Sequence, residues 1–219
     1  GSSGPGCDTH ADETIGYVVF DAAANSQFSG IEGGTFNVGG QVDGTTSNQT
    51  LTGFASTPLI FANTSTDNNG NQPVEVRVTS TSSGNFIAGI CFQNSTDACD
   101  GGAPVETVNW LAIDPLNLPF PVVSEAGTLN LSGSNWDAAV QTEPFGSTPE
   151  AVGETQTNNG AEEVEIDEAR NISTGSLEAR FCEMESGDSC DGHTGETVGW
   201  LAVENFSSSG PVSFTIDAK

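Results

Sequence analysis

Val74, Val76 and Val78 alternate with Glu75 and Arg77, a period of two that gives a half-buried strand with its charged row outward. Similar runs fill the chain. They are short, rich in Val, Ile, Thr and Phe, and bounded by clusters of Gly, Asn, Ser and Pro, and no long segment carries the helical period. In order, the pattern predicts strands at Gly34–Gly39, Gln49–Phe54, Thr57–Asn63, Val74–Val78, Asn85–Phe92 and Glu106–Asp114, with Ala22 to Gly34 as a connector of small residues.

The set then returns. Phe54 to Pro58 matches Phe145 to Pro149, Asn68-Asn69-Gly70 matches Asn158-Asn159-Gly160, and Val74 and Val76 match Val164 and Ile166. Gly84-Asn85-Phe86 matches Gly175-Ser176-Leu177, and Trp110 matches Trp200. A repeat of about 90 residues is one small antiparallel sandwich and not a solenoid turn. The expected fold is all-β: two tandem antiparallel sandwiches at 22–116 and 122–205. Pro115 to Pro121, with three prolines, forms a stiff link between them.

The closing strand occurs three times: Glu13 to Phe20, Glu106 to Ile113 and Glu196 to Val203. The first-strand pattern also occurs a third time, from Pro211 to Asp217, whereas the middle strands occur twice. Residues 1–21 therefore read as a donor-type N-terminal strand and 206–219 as a spare C-terminal strand, both suited to strand exchange. In the opening copy Ile15, Tyr17 and Val19 share one face, while Val18 and Phe20 share the other. Apolar residues on both faces suit a covered central strand, not a free edge. Burying these five side chains stabilises by roughly 1.5–3 kcal/mol each at most. Ordering the strand costs roughly 1–2 kcal/mol per residue. The two nearly cancel, so the ladder hydrogen bonds of a host sheet must supply the surplus.

Charge narrows the partners. Thirty Asp and Glu stand against four Lys and Arg, a net charge of -26 spread through strands and loops. Near-absence of Lys favours adaptation to high salt, where screening relieves self-repulsion. Nucleic acid and anionic membranes are poor partners for this surface, and no apolar run is long enough to span a bilayer. The sequence has no initiator Met and no signal peptide, as expected of a processed or excerpted form.

Cys91 and Cys99 have the same separation as Cys182 and Cys190, at matching places of the repeat, which predicts two local disulfides and an oxidising, extracellular setting. In the second copy Leu177, Ala179 and Phe181 point inward, which makes Cys182–Cys190 a surface staple. Cys7 is unmatched and available for a link between subunits. Six Asn-x-Ser/Thr sequons, at Asn48, Asn63, Asn94, Asn130, Asn171 and Asn205, fit a glycosylated surface protein.

Catalytic chemistry is poorly supplied. His10-x-x-Glu13 and His193-x-x-Glu196 precede closing strands, but Ala103 replaces the histidine in the first full repeat, so a hydrogen bond at strand entry is preferred to a metal or catalytic role. Asp67 to Asn71 resembles part of a calcium loop but lacks the late bidentate Glu, so a turn is the preferred reading and calcium the secondary one. With two histidines no Ser-His-Asp set stands out, and no phosphate loop opens a helix. The expectation is a non-enzyme without a cofactor.

Thr57-Pro58, Val76-Arg77-Val78, Gly84-Asn85-Phe86 and Val108 to Ala112 resemble the H-type lectin family. That resemblance implies six-stranded antiparallel sandwiches that bind galactose-type sugars. The second copy departs from it, with Asp167 at the arginine position and Leu177 for the phenylalanine. The His-x-x-Glu-Thr-Val-Gly-Trp form also resembles tandem repeats of microbial surface proteins with structural or adhesive roles. Two functions are expected. The first is a salt-adapted extracellular subunit that polymerises head to tail into a cell-surface filament by donor-strand exchange with copies of itself. The alternative is a lectin-like adhesin, cut from a longer array, that binds surface glycans.

Overall fold

The computed structural model describes residues 29–204 apart from 40–45, 67, 69–73, 93–103, 119–122, 133–135, 141–143, 160–164, 185–189 and 192–193. Among the described residues there is no helix. The first half holds β1 (Ile31–Val38), β2 (Ser47–Thr50), β3 (Leu59–Thr64), β4 (Val74–Thr81), β5 (Asn85–Phe92) and β6 (Glu106–Ile113). The second holds β7 (Ser124–Leu131), β8 (Asp137–Val140), β9 (Glu150–Thr155), β10 (Glu165–Arg170), β11 (Ser176–Met184), β12 (Cys190–Asp191) and β13 (Glu196–Val203).

The strands form four small antiparallel sheets. In the first half β1-β6-β3 faces β2-β5-β4. The core lies between them, with Phe36, Val38, Ile60, Val108 and Ala112 from one sheet and Val76, Val78, Phe86, Ala88 and Ile90 from the other. Phe86 sits edge-on to Phe36 and Trp110, with ring centroids 6.1 and 5.1 Å apart. The second half repeats the plan, with β7-β13-β9 in one sheet and β8, β11, β10 and β12 in the other. Its core gathers Leu131, Phe145, Leu177, Ala179, Val198, Trp200 and Ala202. Inward Leu177 and Ala179 follow from the period of two, as expected from the sequence.

Several expectations need correction. β1 starts at Ile31, not Gly34, because Gly30 (φ 87°) makes the entering turn and Ile31 then pairs with Ile113. β2 ends at Thr50, not Phe54. Leu51 donates from its N–H to the Gly84 carbonyl at 2.9 Å, and Gly53 (φ 87°) turns the chain away. Arg77 is not on a solvent face: it is 1% exposed, opposite a buried Gly89 that puts no side chain beside it. β5 and β11 begin at Asn85 and Ser176, so Gly89 matches Arg180, and Arg77 therefore matches Glu168 and not Asp167. The cation has crossed the ladder, from β4 in one half to β11 in the other.

Candidate assembly site

The closing strand, last in sequence, is central in its sheet in both halves. β6 pairs with β1 on one side and β3 on the other, and β13 pairs with β7 and β9. Both faces are used. Val198, Trp200 and Ala202 enter the core, whereas Gly199 and Leu201, on the opposite face, are buried where β3 of the first half lies against β13. Ile113 and Leu111 stand on the corresponding outer face of β6, Ile113 buried and Leu111 half-buried.

Each central strand is held at two points along its length. Trp110 stands opposite Gly34 and Trp200 opposite Gly127. The indole lies on the glycine: a Cβ at either glycine would meet the ring at 3.1 Å. A side chain there would require the ring to give by a few tenths of an ångström.

The second hold is a clasp at the strand entry. Glu106 is fully buried, accepting from Thr66 Oγ1 at 2.5 Å and from the Asn68 N–H at 2.8 Å. In return Thr66 Oγ1 accepts from the Thr107 N–H at 2.8 Å, and Asn68 Nδ2 donates to the Val105 carbonyl at 2.7 Å. The second half rebuilds every bond. Glu196, 1% exposed, accepts from Thr157 Oγ1 and, at 2.6 Å, from the Asn159 N–H. Thr157 Oγ1 accepts from the Thr197 N–H at 2.9 Å, and Asn159 Nδ2 donates to the Gly195 carbonyl at 2.9 Å. A carboxylate buried this deeply is tolerable because backbone and hydroxyl donors surround it. The match runs Asn68 to Asn159, one residue away from the alignment the Asn-Gly pairs suggest. The expected strand-entry bond of Glu196 is thus one part of a larger latch. Its partners, Thr66 with Asn68 and Thr157 with Asn159, escape sequence reading although the Thr-x-Asn spacing recurs.

Ile15, Tyr17, Val18, Val19, Phe20, Cys7, His10, Glu13, Cys99, His193, Asn94 and Asn205 lie outside the described residues. Cys91 is disulfide-bonded and 2% exposed, on the face of β5 opposite Phe86, Ala88 and Ile90. Cys182 lies in β11 and Cys190 in β12, where Cys190 stands opposite Met184, two positions along from Cys182. Asn48, Asn63, Asn130 and Asn171 are exposed. Asn48 and Asn130 accept through Oδ1 from Asn85 Nδ2 and Thr197 Oγ1, both at 3.1 Å. Asn171 adopts φ 51° in the turn before β11 and donates to Glu178 at 2.9 Å. Of the calcium-like run, Asn68 serves the clasp and the other residues lie outside the described set. Among the described residues no group of three or more His, Cys, Asp or Glu is placed to hold a metal, and no helix is long and apolar enough to cross a membrane.

Electrostatics single out two carboxylates. Hydrogen bonds from Arg170 and Asn171 hold Glu178 below its ordinary value. Arg170 and Arg180 also stack on Trp136, at 3.8 and 4.6 Å from the ring centroid. Burial, reinforced by the charge of Glu75, pushes Glu154 well above the carboxylate range against an opposing backbone hydrogen bond from Ala62. No protein-family model, curated protein or solved structure matches the chain.

Proposed function

We propose that the chain is an extracellular structural subunit that polymerises head to tail, with Ile15–Phe20 of one copy entering a neighbour as the central strand of a sheet. The observation that supports this is the position of the closing strand: β6 and β13 are each flanked on both sides and clasped at the entry. The opening copy, Glu13 to Phe20, repeats that sequence, while the central places of both halves are filled by their own strands. A sheet that received it would seat it between a first and a third strand, and Val212–Ile216 of another copy carries the first-strand pattern. In this reading 22–116 and 122–205 are tandem sandwiches, Cys7 sits near the junction, and the charge of -26 reflects a salty exterior. A contact between unlike surfaces propagates into a filament unless rotation closes it.

The test is removal of residues 1–21, with electron microscopy of the material at high salt. The expected outcome is filaments from the full chain and soluble monomers from the truncated one. Filaments from the truncated chain would sink the reading. An intact mass far above 22.5 kDa for the native protein would instead assign the extra strands to flanking repeats of a longer polypeptide. That result, with specific glycan binding by the isolated second half, would favour the lectin-like reading.

A further inference from the structure

Among the described residues β3 is an edge strand, paired with β6 on one side only. Its other edge is covered by side chains from the second half. Gln156, just after β9, donates from Nε2 to the Ile60 carbonyl at 2.7 Å and accepts at Oε1 from the Ile60 N–H at 2.8 Å, both buried. The amide thus occupies the edge as the backbone of a neighbouring strand would. Two residues along each strand, the Ala62 backbone bonds to Glu154. Gly199 beneath makes room, since a Cβ there would meet the Gln156 side chain at 3.1 Å. The weak member is Glu154, a half-buried carboxylate within electrostatic reach of Glu75 of β4.

We propose that this edge contact is a proton-sensitive joint, locking the two halves when Glu154 is neutral and loosening when it is charged, with salt moderating only the part of the cost that comes from Glu75. Other charged groups pack around the pair: Arg77 stands two residues from Glu75 on β4, Glu196 of β13 is engaged in its clasp, and β10, which also packs on β9, carries Glu165, Asp167, Glu168 and Arg170, whereas β3 carries no titratable side chain. The sign follows from linkage. Burial raises the Glu154 value in the closed joint, so the closed form holds the proton more tightly than the open form. Closure is fully favoured below the ordinary glutamate value of about 4.3 and is lost as pH rises through the raised value. Added salt opposes the loss by weakening the Glu75–Glu154 repulsion.

The test is hydrogen exchange of the Ile60 and Ala62 amides in the full chain, corrected for intrinsic rates, from acid to alkaline pH at low and high salt. Protection is expected to fall with rising pH by up to about tenfold per unit, and to recover in part in salt. Glu154→Gln should keep protection high throughout, and Gln156→Ala should lower it at Ile60 at every pH. Amides of β6 and β13 should hold their protection in all variants, which separates an open joint from an unfolded half. Protection at Ile60 and Ala62 that is flat in pH and salt, or a Glu154→Gln variant that follows the parent chain, would overturn the proposal.

Discussion

The two halves share a plan and differ in where they put aromatic rings and cations. The first half stacks Phe36, Phe86 and Trp110 inside and buries Arg77. The second replaces Phe86 with Leu177 and sets Trp136 at its half-exposed surface under two arginines. Strand order, the Trp–Gly contact and the glutamate clasp are nevertheless the same in both. Core chemistry can therefore change while the devices that seat the central strand do not. Those devices, more than the aromatic content, define the unit.

Removing a clasp is the strongest way to test that equivalence. Glu106→Ala and Glu196→Ala each strand buried donors, so each is expected to cost on the order of 3 kcal/mol. The cost should be similar in the two halves, read by denaturant unfolding with exchange protection of β6 and β13 as the local probe. A large loss at one glutamate and none at the other would show that only one half depends on its clasp. Under the proposed assembly, the same logic predicts that Glu13→Ala lowers filament yield while the monomer unfolds as before.

The glycines under the indoles come next. Gly34→Ala and Gly127→Ala place a methyl group 3.1 Å from the Trp110 and Trp200 rings, and about 1–3 kcal/mol of destabilisation is expected from each. Thermal unfolding measures it, and a neutral or stabilising result would show that the ring can slide. The smallest effect sharpens the difference between the halves. Glu178 is held below its ordinary value by Arg170 and Asn171, so its contribution is present above that value and fades as pH falls through the lowered one. Arg170→Gln should move the Glu178 midpoint upward in an NMR titration. Ile87 occupies the matching place in the first half and has no proton to release.

Much of this architecture is legible in the chain. Asn85–Phe92 is legible to its ends, because Phe86, Ala88 and Ile90 alternate without interruption and Gly84 precedes them. The closing strands are legible as central because Val108 and Ala112 occupy one face and Leu111 and Ile113 the other. Glu106 is not legible as a buried group. A glutamate in a charged chain reads as surface, and its donors, Thr66 and Asn68, come from a loop far away in sequence. Arg77 misleads for the same reason: alternation assigns it to an outer face but cannot reveal that the face is covered. Nor does any local pattern announce that Gln156 will reach Ile60, since that bond depends on how β3 lies against β9.

Placing the last-made strand in the middle of its sheet also sets a schedule for biosynthesis. While a half emerges from the ribosome, its first and third strands wait with an empty slot between them, and the sheet cannot knit until Glu106–Ile113 or Glu196–Val203 appears. A product cut short by even that one segment would leave the slot vacant, so each half is tested for completeness by its own final residues.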